Sequence, residues 1–231
     1  MISEMFAHGF IQRAFIGGVL VSLCAALLGV SLVLKRYSMI GDGLSHVSFG
    51  ALSIAIALGF APIKFSIPIV IIAAFFLLRL AENGKMKSDA AIAMVSASSL
   101  AIGVIVTSLT TGLSTDVCSY MFGSILAMSK DDVIFSVVLS VVVLIMFGFC
   151  YHRIFAVTFD ESFSKATGVK VGMYNTLISI FTAVTVVLGI KMMGAMLISS
   201  LIIFPALTSM RVFKSFLSVT ICSAILAVIN F

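Results

Sequence analysis

Apolar runs close to membrane-spanning length recur along the whole chain, separated by short polar breaks. Eight stand out, over 14–34, 38–60, 67–80, 90–110, 133–151, 173–190, 194–210 and 215–231. A helix needs about 20 apolar residues to cross a hydrocarbon core, and most of these runs approach that length. The third is short, and Pro68 near its start suits a first helical turn, where the absent N–H would have no partner anyway. Between 111 and 132 the stretch "TGLSTDVCSYMFGSILAMSKDD" is neither a clean span nor a clean loop, and a short surface or re-entrant helix is expected over 120–128. Small residues repeat every four positions at Gly18, Ser22 and Ala26, and again at Ala93, Ala97 and Ala101, a spacing that lets helix backbones approach closely in lipid. The pattern predicts an all-α polytopic membrane helix bundle of about eight transmembrane helices, forming one domain over 1–231.

Composition places the chain in a bilayer. Of 231 residues, 61% are hydrophobic and 10% charged, with a mean hydropathy of +1.28. Its polar stretches reach roughly 20 residues at most, too few to bury a core of their own. The first run is too long for the apolar part of a cleaved signal and is followed by Lys35 and Arg36, so it should remain as a membrane helix. The net charge of +5 does not point to nucleic acid, because the cations sit singly or in pairs without a basic stripe. They sort by side instead. With the N-terminus outside, Lys35, Arg36, Arg79, Lys85, Lys87, Arg153, Lys165, Lys170, Arg211 and Lys214 face the cytoplasm, and only Arg13, Lys64, Lys130 and Lys191 face out. Cys24, Cys118, Cys150 and Cys222 are isolated and read as small packing residues.

The second run contains a carboxylate and an imidazole. Asp42 and His46 are four residues apart, so on a helix they share a face one turn apart, with Gly50 a further turn along and leaving room beside them. Counted from Arg36, Asp42 lies roughly 9 Å and His46 roughly 15 Å into the span. An ionised Asp exposed to lipid there costs about 2.5–3.5 kcal/mol, so both should face the bundle interior. Three roles are open: a buried hydrogen-bonding pair, a proton relay, or ligands for a divalent metal such as Zn²⁺ or Mn²⁺. Two ligands leave a metal shell incomplete, so waters, other helices or a second copy would have to finish it.

Enzyme chemistry finds little support. An intramembrane aspartyl protease needs two aspartates, and Asp116, the one plausible partner for Asp42, lies outside a clear span. Around Gly84-Lys85, "RLAENGKMKS" lacks both the upstream glycine and the following Ser/Thr of a phosphate-binding loop. Energy for uphill transport would therefore come from another chain or an ion gradient. His8 and His152 sit at span edges and read as interfacial, and Pro205 reads as a helix kink.

The stretch "LVLKRYSMIGDGLSHVSFGA" resembles the signature of the membrane permeases of ABC importers for zinc, manganese and iron, with its basic pair and "GDxLSH" core. "YMFGSILAMSKDD", "MGAMLISSLIIFPALTSMRV" and "FDESFSKATGVKVG" agree in register, so the resemblance runs from about residue 10 to 215. It implies a type II ABC importer permease fold, shared with siderophore-type importers. Asp42 and His46 would then bind the transported Zn or Mn on its path, with no cofactor held permanently and zinc slightly preferred for its affinity to nitrogen. The resemblance also implies a homodimer of permeases, a cytoplasmic ATP-binding cassette ATPase dimer that carries out the hydrolysis, an external metal-binding protein, and a bacterial cytoplasmic membrane. Phe159, Asp160, Phe163 and Gly168 fall in the loop that docks on the ATPase, with Gly168 placed to end a helix there. Two features depart from the family: no proline follows His46, and the chain stops at Phe231 inside an apolar run, so a last helix is expected to be absent or the sequence clipped. The alternatives are a proton-coupled carrier using Asp42–His46 as a relay, and a structural membrane protein in which the pair is only buried.

Overall fold

The structure, a computed structural model, describes residues 9–37, 39–82, 88–110, 123 and 130–231. Every element among them is a helix: α1 (Gly9–Leu34), α2 (Ile40–Ala57), α3 (Pro62–Glu82), α4 (Ser88–Thr110), α5 (Lys130–Phe159), α6 (Glu161–Ala166), α7 (Val171–Met193), α8 (Ala195–Val212) and α9 (Phe216–Asn230). In lipid a helix satisfies its own backbone, so apolar runs of this length have little alternative. Six of the eight long helices are long and apolar enough to cross a membrane. The apolar parts of the other two, Pro62–Leu77 and Phe216–Asn230, are shorter. The expected helix over 120–128 lies outside the described residues apart from Gly123, as do Asp116, Cys118, His8, Lys85 and Lys87.

Two boundaries differ from the sequence reading. α3 begins at Pro62, so Pro68 lies inside it instead of starting it. Pro62 is the proline that takes the first helical position, and its fixed φ suits that role. α5 does not stop at 151 but continues to Phe159, because Tyr151, His152 and Arg153 interrupt the apolar pattern without breaking the helix.

α1 and α7 form the middle of the bundle. α1 packs on α5, α7, α8 and α9, while α7 packs on α1, α2, α3, α5 and α8. Leu28 of α1 and Leu188 and Ile190 of α7 are among the large side chains that are fully buried. The small-residue face of α1 works as expected, with Gly18 lying under the ring of Phe231, which follows α9. Ser22 and Ala26 on that face are fully buried. The corresponding stripe of α4 differs: Ala93, Ala97 and Ala101 are exposed.

The long helices alternate in direction, which sorts the charges. The C-termini of α1, α3, α5 and α8 and all of α6 share one end with Lys35, Arg36, Arg79, Arg153, Lys165, Lys170, Arg211 and Lys214. Lys64, Lys130 and Lys191 lie toward the other end, as does Arg13 near the start of α1. There Lys191 pairs with Asp132 at 2.7 Å. Cys24 is buried, and Cys150 and Cys222 are free and partly buried.

Candidate functional site

α2 does not start at the end of the bundle. Gly41 in its first turn faces the Ile202 side chain, and the Ile202 backbone carbonyl in turn lies against Gly29 of α1. Gly29 precedes Leu34, the last residue of α1, by five residues, so the first turn of α2 lies roughly 7–8 Å inside the end of α1. Asp42 lies in that turn, and the helix begins two residues later than expected. Free amides and aligned peptide dipoles at a helix start suit a carboxylate there.

Asp42, Ser45, His46 and Phe49 follow the helical spacing of one face and line a cavity of about 100 Å³, closed by Leu100 of α4 and by Ala195 and Met196 of α8. His46 Nε2 stands 3.8 Å from Asp42 Oδ2, with the two side chains 23% and 41% exposed. That separation is too long for a hydrogen bond. It is near the tetrahedral edge of about 3.4 Å that metal–nitrogen and metal–oxygen bonds of about 2.1 Å would set. Among the described residues no three His, Cys, Asp or Glu side chains come together as a metal cluster. One chain therefore supplies this pair and leaves the rest of a shell to be found elsewhere.

Several residues around the pair were not singled out from sequence. The Ser45 hydroxyl donates to the Asp42 carbonyl at 2.7 Å and stands 3.2 Å from the Ser199 hydroxyl, joining α2 to α8. Ser45 could have been found from the i+3 spacing alone; Ser199 could not, because it depends on how α8 folds back. The open room expected at Gly50 is absent; the glycine instead admits the α4 backbone, and a Cβ added there would lie 2.8 Å from the Ser99 carbonyl oxygen. Gly123, in the "YMFGSIL" stretch, has φ +77, and a Cβ on it would lie 2.3 Å from the Met193 carbonyl carbon where α7 turns into α8. Only glycine fits that conformation and that approach.

The second candidate site follows α5. Asp160 adopts an extended conformation and its side chain accepts from the Phe163 N–H at 2.9 Å, an N-cap for the short α6. At the other end Gly168 N–H donates to the Lys165 carbonyl and Val169 N–H to the Ser164 carbonyl, with Gly168 at φ +82. This is the Schellman closure expected of that glycine. Phe159 and Phe163 are 59% and 62% exposed. Phe159 stacks loosely on Phe155 and Phe216, with ring centroids 4.9 Å and 6.0 Å away. His152 is exposed on α5, in keeping with an interfacial position.

Glu161 opens α6 and faces Lys35, whose Nζ donates to it at 2.8 Å. Burial pushes its carboxyl pKa up, but hydrogen bonds from Lys35 and Asn175 and the charges of Lys35 and Lys165 outweigh that and hold it below its ordinary value.

Similarity to known proteins extends over nearly the whole molecule. The manganese import system permease protein ScaB of Streptococcus gordonii is 28% identical over 94% of this chain and 78% of its own length. The high-affinity zinc uptake system membrane protein ZnuB of Haemophilus influenzae is 28% identical over 86% and 76%. PsaBC from Streptococcus pneumoniae, solved in complex with Fab, superposes with a TM-score of 0.85 at 27% identity, covering 99% of this chain and 84% of its own. The model of the ABC 3 transport family matches residues 7–231, and the chain, a multi-pass helical membrane protein with the "GDGLSH" pair on its second helix, belongs to that family.

Proposed function

We propose that this chain is the membrane-spanning permease of an ATP-driven importer that moves a divalent metal, zinc or manganese, into the cytoplasm through the bacterial cytoplasmic membrane. Asp42 and His46 bind the metal in transit as carboxylate oxygen and imidazole nitrogen. The observation behind this reading is their geometry: two donors of the right kind, 3.8 Å apart and partly exposed, lining a small cavity between helices. A relay within the pair would need a hydrogen bond that this distance does not provide, which favours ligation over proton transfer. Relatives named for manganese and for zinc include two that are each 28% identical. The slight preference for zinc rests on the imidazole and on a spacing closer to a tetrahedral edge.

A second copy of the chain completes the site. Asp42 and His46 stay partly exposed, and Leu100 beside them sits among the exposed Ala97 and Ala101 of α4. A facing copy packed along that stripe would bring two carboxylates and two imidazoles together, enough for four-coordination. Hydrolysis of ATP belongs to partner subunits, which dock through Phe159 at the end of α5 and Phe163 of α6, and an external metal-binding protein delivers the ion. The test is uptake by liposomes holding this chain and its ATPase, with each divalent ion supplied separately. Uptake of zinc or manganese that requires ATP supports the reading; uptake driven by a proton gradient without ATPase overturns it.

A further inference from the structure

The helix that bears Asp42 begins inside the bundle, so its first turn depends on what holds the link from Lys35 to Met39. That link is closed tightly at its base. Arg36 N–H donates to the Val33 carbonyl and Tyr37 N–H to the Leu32 carbonyl, while Arg36 itself takes φ +61. A non-glycine residue in that region carries strain, tolerated where the surroundings fix it. Ile40 N–H then donates to the Tyr37 carbonyl and starts α2.

Lys35 anchors this turn to two other elements. Its Nζ donates to Glu161 Oε1 of α6 at 2.8 Å and also to Asn175 Oδ1 of α7. Asn175 Nδ2 donates to the same Glu161 oxygen at 3.1 Å, closing a triangle of three groups. The Lys35 side chain is only 6% exposed, whereas that of Glu161 is 40% exposed. A buried ammonium holds firmly to its acceptors, since losing them strands the charge. If α6 shifts, Lys35 is therefore drawn with it. The rest of α6 packs mainly on α5 and α7, and this ion pair ties it to the α1–α2 link.

We propose that Lys35 is a positioning residue that carries displacements of α6 to the first turn of α2, and so sets the geometry at Asp42 as the transporter cycles. This rests on the permease reading above. Two features favour a moving link over a static strut. Buried ion pairs contribute weakly to stability, and apolar replacements are often as stable. The carboxylate also sits on α6 between exposed Phe159, which ends α5, and exposed Phe163 of α6, where a partner would act first.

The test uses the full complex of this chain, its ATPase and the metal-binding protein in liposomes. In Lys35→Met and Glu161→Gln, assembly and basal ATP hydrolysis should stay within about twofold, while metal uptake and its stimulation of ATP hydrolysis fall about tenfold, a typical coupling loss. The swap Lys35→Glu with Glu161→Lys should recover most of that uptake, because the triangle with Asn175 can form with the charges reversed. Spin labels at Met39 and Thr167 give a readout that a strut would not move. Trapping the ATP-bound state should leave their separation unchanged in the otherwise wild-type complex and change it in Lys35→Met. Wild-type uptake by both single variants overturns the inference alone, and so does loss of assembly and uptake in parallel without recovery in the swap. Absence of uptake by the unmodified complex would instead remove the permease reading.

Discussion

Gly50 on α2 and Ser99 on α4 cross so closely that a Cβ on Gly50 would lie 2.8 Å from the Ser99 carbonyl oxygen. Gly103 repeats the contact one turn on, where its added Cβ would meet the Phe49 ring at 2.6 Å. The neighbour at Gly50 is backbone and cannot turn aside. Gly50→Ala should therefore push α2 from α4 and destabilise the protein by about 1–3 kcal/mol, read as a lower melting temperature in detergent. Gly148→Ala on α5, with nothing within 4 Å, is the matched control. It should be neutral or stabilising by about 0.5–1 kcal/mol, since alanine suits a helix interior better than glycine.

Much of this was legible in the sequence because membrane helices declare themselves by length and apolarity. The eight runs correspond to the eight long helices, and the alternation of charge between the two ends follows from their order. Gly168 announced the end of α6 through cap chemistry that acts over three or four residues, and the Asp160 cap at its start is equally local. What stayed hidden was long-range. Ser199 reaches Ser45 across 154 positions and Asn175 reaches Lys35 across 140, and no local pattern encodes either meeting. Pro68 misled because a proline may start a helix or sit within one, and Pro62 had already taken the first position. The α4 stripe looked like the α1 stripe, yet one is covered by α9 and the other lies open.

Phe159, the last residue of α5, and Phe163, in the capped turn of α6, are large aromatic side chains left on the surface. Exposed aromatics of this kind serve as anchors when a partner covers them. Phe159→Ala should weaken assembly with the ATPase by about 2 kcal/mol or more while membrane insertion is unaffected. Copurification of the tagged complex measures it, and normal ATPase binding with full transport would remove the assignment.

Orientation can be checked at two exposed lysines, Lys64 at the start of α3 and Lys165 in α6, which lie toward opposite ends of the bundle. After the four native cysteines are replaced, Lys64→Cys should react with an impermeant thiol reagent applied to intact cells. Lys165→Cys should react only after the membrane is opened. The reverse pattern would invert the topology and take the docking role of α6 with it.

The tie between Glu161 and Lys35 carries a pH signature. Glu161 has its carboxyl pKa held below the ordinary value, net of a burial effect in the other direction. A group depressed in the folded state contributes stability that is fully present above its unfolded pKa and lost as pH falls through the folded one. The contribution should be complete at neutral pH and fade only in acid, below the usual carboxylate range. Melting temperatures of the wild type and Glu161→Gln, compared from neutral to acid pH, should therefore converge as pH falls. A gap that is constant with pH would show that the carboxylate charge plays no part.

Asp42 and His46 are tolerated inside a membrane bundle because, on the proposed reading, a passing metal ion uses them. Each supplies one donor, and neither is hydrogen-bonded to the other at 3.8 Å. Asp42→Asn keeps the shape of the side chain and removes its charge, leaving an amide that is a poor metal ligand. Uptake should then fall by at least about tenfold to a hundredfold, the loss that even outer-shell changes bring at metal sites. Assembly with the ATPase should be retained, because the pair lies well inside α1's end and away from α6. His46→Ala removes the only nitrogen donor of the pair and leaves one carboxylate per copy, so zinc uptake should suffer more than manganese uptake, which relies less on nitrogen. Radiolabelled uptake of each metal, set against the amount of assembled complex, separates transport from folding. Wild-type uptake by either variant at normal expression would make the pair a structural feature of α2, and the proposed metal path would have to run elsewhere.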